Sequence, residues 1–153
     1  MTKEVILSIT GLQFDSIDPE SREPVEIITV GEYYKRNDKH YVIFQEVLEG
    51  FEGSTKNTLK ISDNGVDIIK KGVTNVHMVF EKDKKNITCY NTPYGNLMIG
   101  ILANDVRVEE QDEDINVQVA YNLDINYEHL AECKIAIQIK SKTAKSFSLE
   151  APM

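Results

Sequence analysis

From Ile115 the chain reads Ile-Asn-Val-Gln-Val-Ala-Tyr-Asn-Leu-Asp-Ile-Asn, apolar and polar positions in near-strict alternation. Successive side chains of a β-strand point to opposite faces, so Ile115, Val117, Val119, Tyr121, Leu123 and Ile125 share one face. Asn116, Gln118, Asn122 and Asp124 share the other. The pattern predicts a long, half-buried antiparallel strand. It returns after Asn126-Tyr127, with Cys133, Ile135, Ile137 and Ile139 set against Lys134, Gln138 and Lys140, and the two runs read as a hairpin. The stretch Tyr127–Ala136 allows a helical turn at its start, but its β-branched continuation argues strand.

The same period places strands near 3–13, 24–36, 40–49, 55–62, 66–72, 75–82, 86–92 and 97–110. Asn37-Asp38, Asp63-Asn64-Gly65, Asp83-Lys84 and Asp112-Glu113-Asp114 stand between them, and these residue types tolerate turn dihedrals. No window carries apolar residues at helical spacing over three turns. About ten strands in hairpin order must hide their edges, and closure into an antiparallel β-barrel does so most completely; a two-sheet sandwich is the alternative. Asp15–Glu23, polar and containing Pro19, reads as a loop. The alternation fails from Ser141, so a single barrel domain over 1–140 and a mobile tail over 141–153 are expected.

A length of 153 residues suits one such domain and buries a core without a metal or disulfide staple. The net charge of −8 repels phosphate backbones, which argues against nucleic acid and anionic membranes as partners. Lys82, Lys84 and Lys85 are read as a charged hairpin tip, with a local basic patch as the alternative. Cys89 and Cys133 lie in strand-like stretches without Cys-x-x-Cys spacing. With no apolar run long enough for a signal peptide or a membrane span, they are expected as free, buried thiols of a cytoplasmic protein.

Candidate chemistry is sparse. His40, His77 and His129 are far apart in sequence and form no metal-ligand spacing, so neither a metal nor another cofactor is expected. His40 and His129 are expected to be exposed, and His77 to face away from Met78. Ser8, Ser54 and Ser62 lack a nucleophile-elbow frame, and Gly50 and Gly53 around Phe51-Glu52 precede no helix that would cradle a phosphate. Glu109-Glu110 and Asp112–Asp114 read as a solvated hairpin end with weak incidental cation binding. Two places remain. In Thr92-Pro93-Tyr94-Gly95 the proline and glycine fix a bend that aims Tyr94, either as a plain corner or as a ligand contact at a barrel mouth. Arg107 and Asp105 share the parity of Ile99 and Ile101. A lumenal Arg107 would need an anionic ligand or a carboxylate, with Glu46 as one partner; a bulge would shift the parity, and simple solvent exposure near the barrel end is the favoured reading. Thr92, Tyr94 and Arg107 are therefore the candidate ligand-binding residues.

Ile9-Thr10-Gly11-Leu12-Gln13, Gly31-Glu32-Tyr33-Tyr34, Thr58-Leu59-Lys60-Ile61, Met78-Val79-Phe80, Thr92-Pro93-Tyr94-Gly95-Asn96-Leu97 and Ile99-Gly100-Ile101 together resemble the YwiB-like family of small bacterial proteins, over about residues 3–140. The resemblance implies a calycin-like barrel, the architecture of lipocalins and fatty-acid-binding proteins. It brings neither an activity nor a catalytic residue. The glycine-x-tryptophan signature of true lipocalins appears only as Gly31-Glu32-Tyr33, so their pocket is not carried over. The expectation is a non-enzymatic barrel that binds a small, partly apolar molecule in its lumen or at its mouth. The alternative is a protein-interaction module or homodimer using an edge or an apolar patch with Tyr33, Tyr34 and Tyr41; an enzyme has the least support. A lumen filled by side chains favours interaction, and an open lined cavity favours ligand binding.

Overall fold

The computed structural model describes residues 3–11, 26–47, 50 and 52–142. Ten strands follow one another: β1 Glu4–Thr10, β2 Glu26–Arg36, β3 Lys39–Glu46, β4 Thr55–Ser62, β5 Gly65–Gly72, β6 Val76–Glu81, β7 Lys85–Thr92, β8 Gly95–Gln111, β9 Asp114–Ile125 and β10 Glu128–Ser141. All belong to one sheet in the order β6-β5-β4-β3-β2-β1-β10-β9-β8-β7, every neighbour antiparallel. The chain thus runs as a meander whose first and last strands pair along Val5↔Ser141 to Thr10↔Ala136. The expected Asp15–Glu23 loop and the tail beyond Lys142 lie outside the described residues. Ser141 itself is buried and ends β10 opposite Val5.

Two-residue turns fit the strand twist when both central residues take positive φ. Asn37 (+52°) and Asp38 (+63°) do so between β2 and β3, and Asn126 (+51°) and Tyr127 (+71°) between β9 and β10. The sheet's two edges, β6 and β7, are consecutive in the chain, joined by the 82–84 turn, and they nearly close the barrel. Asn75 and Asn91 exchange a pair of 2.9 Å backbone hydrogen bonds at one end of this seam, and Asp83 N–H donates to the Ala103 carbonyl at the other (2.9 Å). A single ten-stranded sheet replaces the two sheets a sandwich would need.

The alternation read from the sequence sets which face is inside. Val5, Leu7 and Ile9, Val42 and Phe44, Leu59 and Ile61, Met78 and Phe80, and Ile115 through Leu123 on β9 form one buried cluster across the lumen. Each such side chain contributes about 1.5–3 kcal/mol by leaving water. Tyr121 sits in this cluster edge-on to Phe80, centroids 5.0 Å apart. Burial, and secondarily the neighbouring Cys133 thiol, hold its phenol protonated far above the usual range.

β8 departs from simple alternation. Ile99, Ile101 and Ala103 face inward, but a bulge between Ala103 and Asp105 inserts one unpaired residue. Beyond it Val106, Val108 and Glu110 oppose the inward-facing Val119, Val117 and Ile115. The parity expected to carry Asp105 and Arg107 into the lumen is reversed there.

Candidate functional site

The hairpin tips at 37–38, 63–64, 82–84 and 112–113 gather at one end of the barrel, where β1 begins and β10 ends. The inward face of β2 brings Tyr33 to this end, and the inward face of β3 brings His40, in step with Val42 and Phe44. His40 is 5% exposed, not solvated as its place beside Lys39 and a turn suggested. Its Nδ1 lies 2.7 Å from the Tyr33 hydroxyl, with the two rings stacked at 5.8 Å between centroids.

Across the mouth, the bulge has turned Glu110 of β8 inward. Its Oε2 stands 3.3 Å from His40 Nε2, and its Oε1 stands 3.9 Å from Lys35 Nζ. A carboxylate only accepts, so in the neutral imidazole its position favours the tautomer with the proton on Nε2. Nδ1 then accepts from the Tyr33 O–H. Burial first, and the Glu110 charge second, raise the Tyr33 pKa above its ordinary value, which keeps that proton on the phenol. A cavity of about 360 Å³ opens over this chain, lined by Tyr33, Lys35, Glu110, Gln111, Asp112 and Ile115. Its walls combine an aromatic ring with charges of both signs, over the fully buried Ile115.

The opposite end also carries polar side chains inside the barrel. Lys70 Nζ pairs with Glu46 Oε1 at 2.9 Å, and Asn57 Nδ2 reaches the same oxygen at 3.3 Å. Glu46, weighed as a partner for Arg107, thus serves Lys70, and the buried ammonium is matched within the lumen. His40, Val42, Phe44 and Glu46 lie on one face of β3, so polar groups stand at both ends of a strand whose middle packs into the core.

The residues singled out from sequence are not brought together. Arg107 lies on the outer wall, its side chain 71% exposed and its Nε donating to Asp105 Oδ2 at 2.8 Å. Thr92 and Tyr94 belong to the β7–β8 turn at the end away from Glu110. Thr92 Oγ1 donates to the Gly95 carbonyl (2.8 Å) and accepts from Tyr94 N–H (3.1 Å), a self-contained corner that holds the Tyr94 side chain 82% exposed. Tyr33, grouped by sequence with Tyr34 and Tyr41, parts from them: it points inward, while Tyr34 and Tyr41 stack outside at 4.9 Å.

Two further histidines sit on the outer face, His77 on Asp67 (2.9 Å) and His129 near Asp124 (3.5 Å). The hydrogen bond from Lys85 holds the Asp124 carboxyl below its usual range. Among the described residues no group of three His, Cys, Asp or Glu side chains is placed to hold a metal ion. Cys89 and Cys133 are free thiols, but Cys89 is exposed and Cys133 only half-buried, because Cys89 stands on the outer face of β7 and not in the core as expected.

Parity alone carried a signal for His40, which alternates with Val42 and Phe44. Nothing local marked Glu110, because its inward turn depends on the bulge.

Comparison with known proteins adds the family. The uncharacterized beta-barrel protein YwiB of Bacillus subtilis (strain 168) is 24% identical over 123 residues, 79% of this chain and 85% of that protein. The crystal structure of the ywiB protein from Bacillus subtilis matches with a TM-score of 0.75 and 20% identity, covering 92% of this chain and 93% of that one. At that identity the likeness speaks for the fold. A family model described as a domain of unknown function, DUF1934, matches residues 8–137, and the chain therefore belongs to the DUF1934 family, that of the YwiB β-barrel.

Proposed function

We propose that this barrel binds a small, partly apolar molecule at the mouth framed by Tyr33, Lys35, Glu110 and Ile115, in the manner of a calycin-like binding protein acting in the cytoplasm. One observation carries the reading: a buried imidazole, fixed by Tyr33 on one nitrogen and by Glu110 near the other, whose two partners line a 360 Å³ cavity. A polar chain that spans the mouth and is oriented from both sides is costly to build in a protein interior and pre-organises the groups above it. The apolar cluster that fills the lumen's middle supports placing the ligand at the mouth instead of through the barrel. The free thiols Cys89 and Cys133 support the compartment.

A second reading has its own observation. Ile28, Val30 and Tyr34 line the outer face of β2 with about half of each side chain exposed, a surface suited to a protein partner. Fragment screening by amide NMR separates the two. The mouth reading expects shifts confined to Tyr33, Lys35, Glu110, Gln111 and their neighbours, abolished in the Tyr33→Ala, His40→Ala double variant. Shifts or concentration-dependent broadening confined to Ile28, Val30 and Tyr34, with the mouth silent, would favour the interaction surface instead.

A further inference from the structure

We infer that the group this mouth recognises is an organic ammonium, carried on an apolar body that rests against the Tyr33 ring. The inference rests on the mouth being the binding site and adds the chemistry of what enters it.

Hydrogen-bond direction is the first argument. With the Glu110 carboxylate at Nε2, a neutral imidazole carries its proton on that side, and Nδ1 accepts a hydrogen bond from the Tyr33 hydroxyl at 2.7 Å. The phenol has then spent its only donor, and its oxygen offers lone pairs alone toward the cavity. Glu110 and Asp112 are also acceptors. A ligand that satisfies these atoms must donate, and an ammonium is a compact group with three donors and no acceptor.

Charge is the second. Glu110 and Asp112 outnumber Lys35 in the lining, and the whole chain carries −8, so the field around the mouth draws cations and repels anions. Lys35 does not settle this balance. It stands 3.9 Å from Glu110 Oε1 with both side chains 51% exposed, and such a pair contributes little and exchanges readily. An incoming ammonium takes the place of the Lys35 ammonium on Oε1, while Oε2 stays with His40. The Tyr33 ring adds a π surface, which attracts a cation within about 6 Å of its centroid. A carboxylate ligand meets two like charges against the single Lys35, and a phenol whose O–H already donates to His40.

The test is a titration of the whole chain with hexylammonium, hexanoate and 1-hexanol, three probes that share one apolar tail, followed by amide NMR. Hexylammonium is expected to shift Tyr33, Lys35, Glu110 and Gln111 at concentrations at least tenfold lower than hexanoate, with hexanol between them. Glu110→Gln should weaken hexylammonium about tenfold and leave hexanol nearly unchanged. Glu110→Asp, which keeps the charge, should retain more than half of the preference if the glutamine variant proves unstable. Equal or tighter binding of hexanoate at the same residues overturns the ammonium assignment and leaves the mouth as a binding site. If none of the three probes moves these residues, both the assignment and the mouth reading fall.

Discussion

Val119→Asp is expected to abolish the cooperative fold, while Gln118→Glu next to it shifts stability by less than about 0.5 kcal/mol. Val119 is 2% exposed and faces the lumen between Val106 of β8 and Ile135 of β10, both apolar. A carboxyl there has no described partner in register, and burying it costs several kcal/mol whether it stays charged or takes up a proton. That loss, about 4 kcal/mol or more, is a large share of the roughly 5–15 kcal/mol that holds a domain together. Gln118 lies one residue away on the outer wall. Urea titration of the two variants reads the difference; comparable midpoints would mean that β9 has its faces exchanged.

Gly72→Ala should be nearly as damaging, for a backbone reason. Gly72 ends β5 at φ +141°, and a Cβ added there would lie 2.2 Å from the Ser54 carbonyl oxygen and 2.9 Å from the Thr55 Cα. Both are backbone atoms of the chain leading into β4 and cannot swing away as a side-chain tip would. Conformational strain and overpacking each cost about 1–3 kcal/mol, so a loss of roughly 3–5 kcal/mol is expected. Gly95→Ala is the matched control, since Gly95 has φ +131° with nothing within 4 Å of the added atom. It should lose only the strain, about 1–2 kcal/mol. Thermal unfolding followed by circular dichroism compares them, and equal losses would remove the steric part of the explanation.

The barrel was legible because its strands are half-buried: alternation from Ile115 to Ile125 states both the strand and its inner face. The turns were legible where Asn and Asp take positive φ, as at Asn37-Asp38. Parity counting failed at Ala103, where one extra residue reverses inside and outside for the rest of β8. A bulge is a local backbone accommodation that leaves no fixed residue signature, and here it decides the site by bringing in Glu110 and sending out Arg107. His40 was misjudged for a different reason. Its neighbours Lys39 and the Asn37-Asp38 turn signal water, but a barrel mouth can bury a polar ring when cross-barrel partners satisfy it, and those partners are 7 and 70 residues away in sequence. The Glu46–Lys70 pair was equally hidden, because it joins strands whose facing registers only the closed sheet defines.

Native mass spectrometry of the protein purified under gentle conditions from the organism that makes it tests the central claim most directly. A barrel that binds at the Tyr33–His40–Glu110 mouth should carry a small-molecule adduct at its 17.4 kDa mass, and the Tyr33→Ala, His40→Ala double variant prepared the same way should lack it. A bare chain, an adduct unchanged in the double variant, or a complex with another protein in place of a small molecule would contradict it.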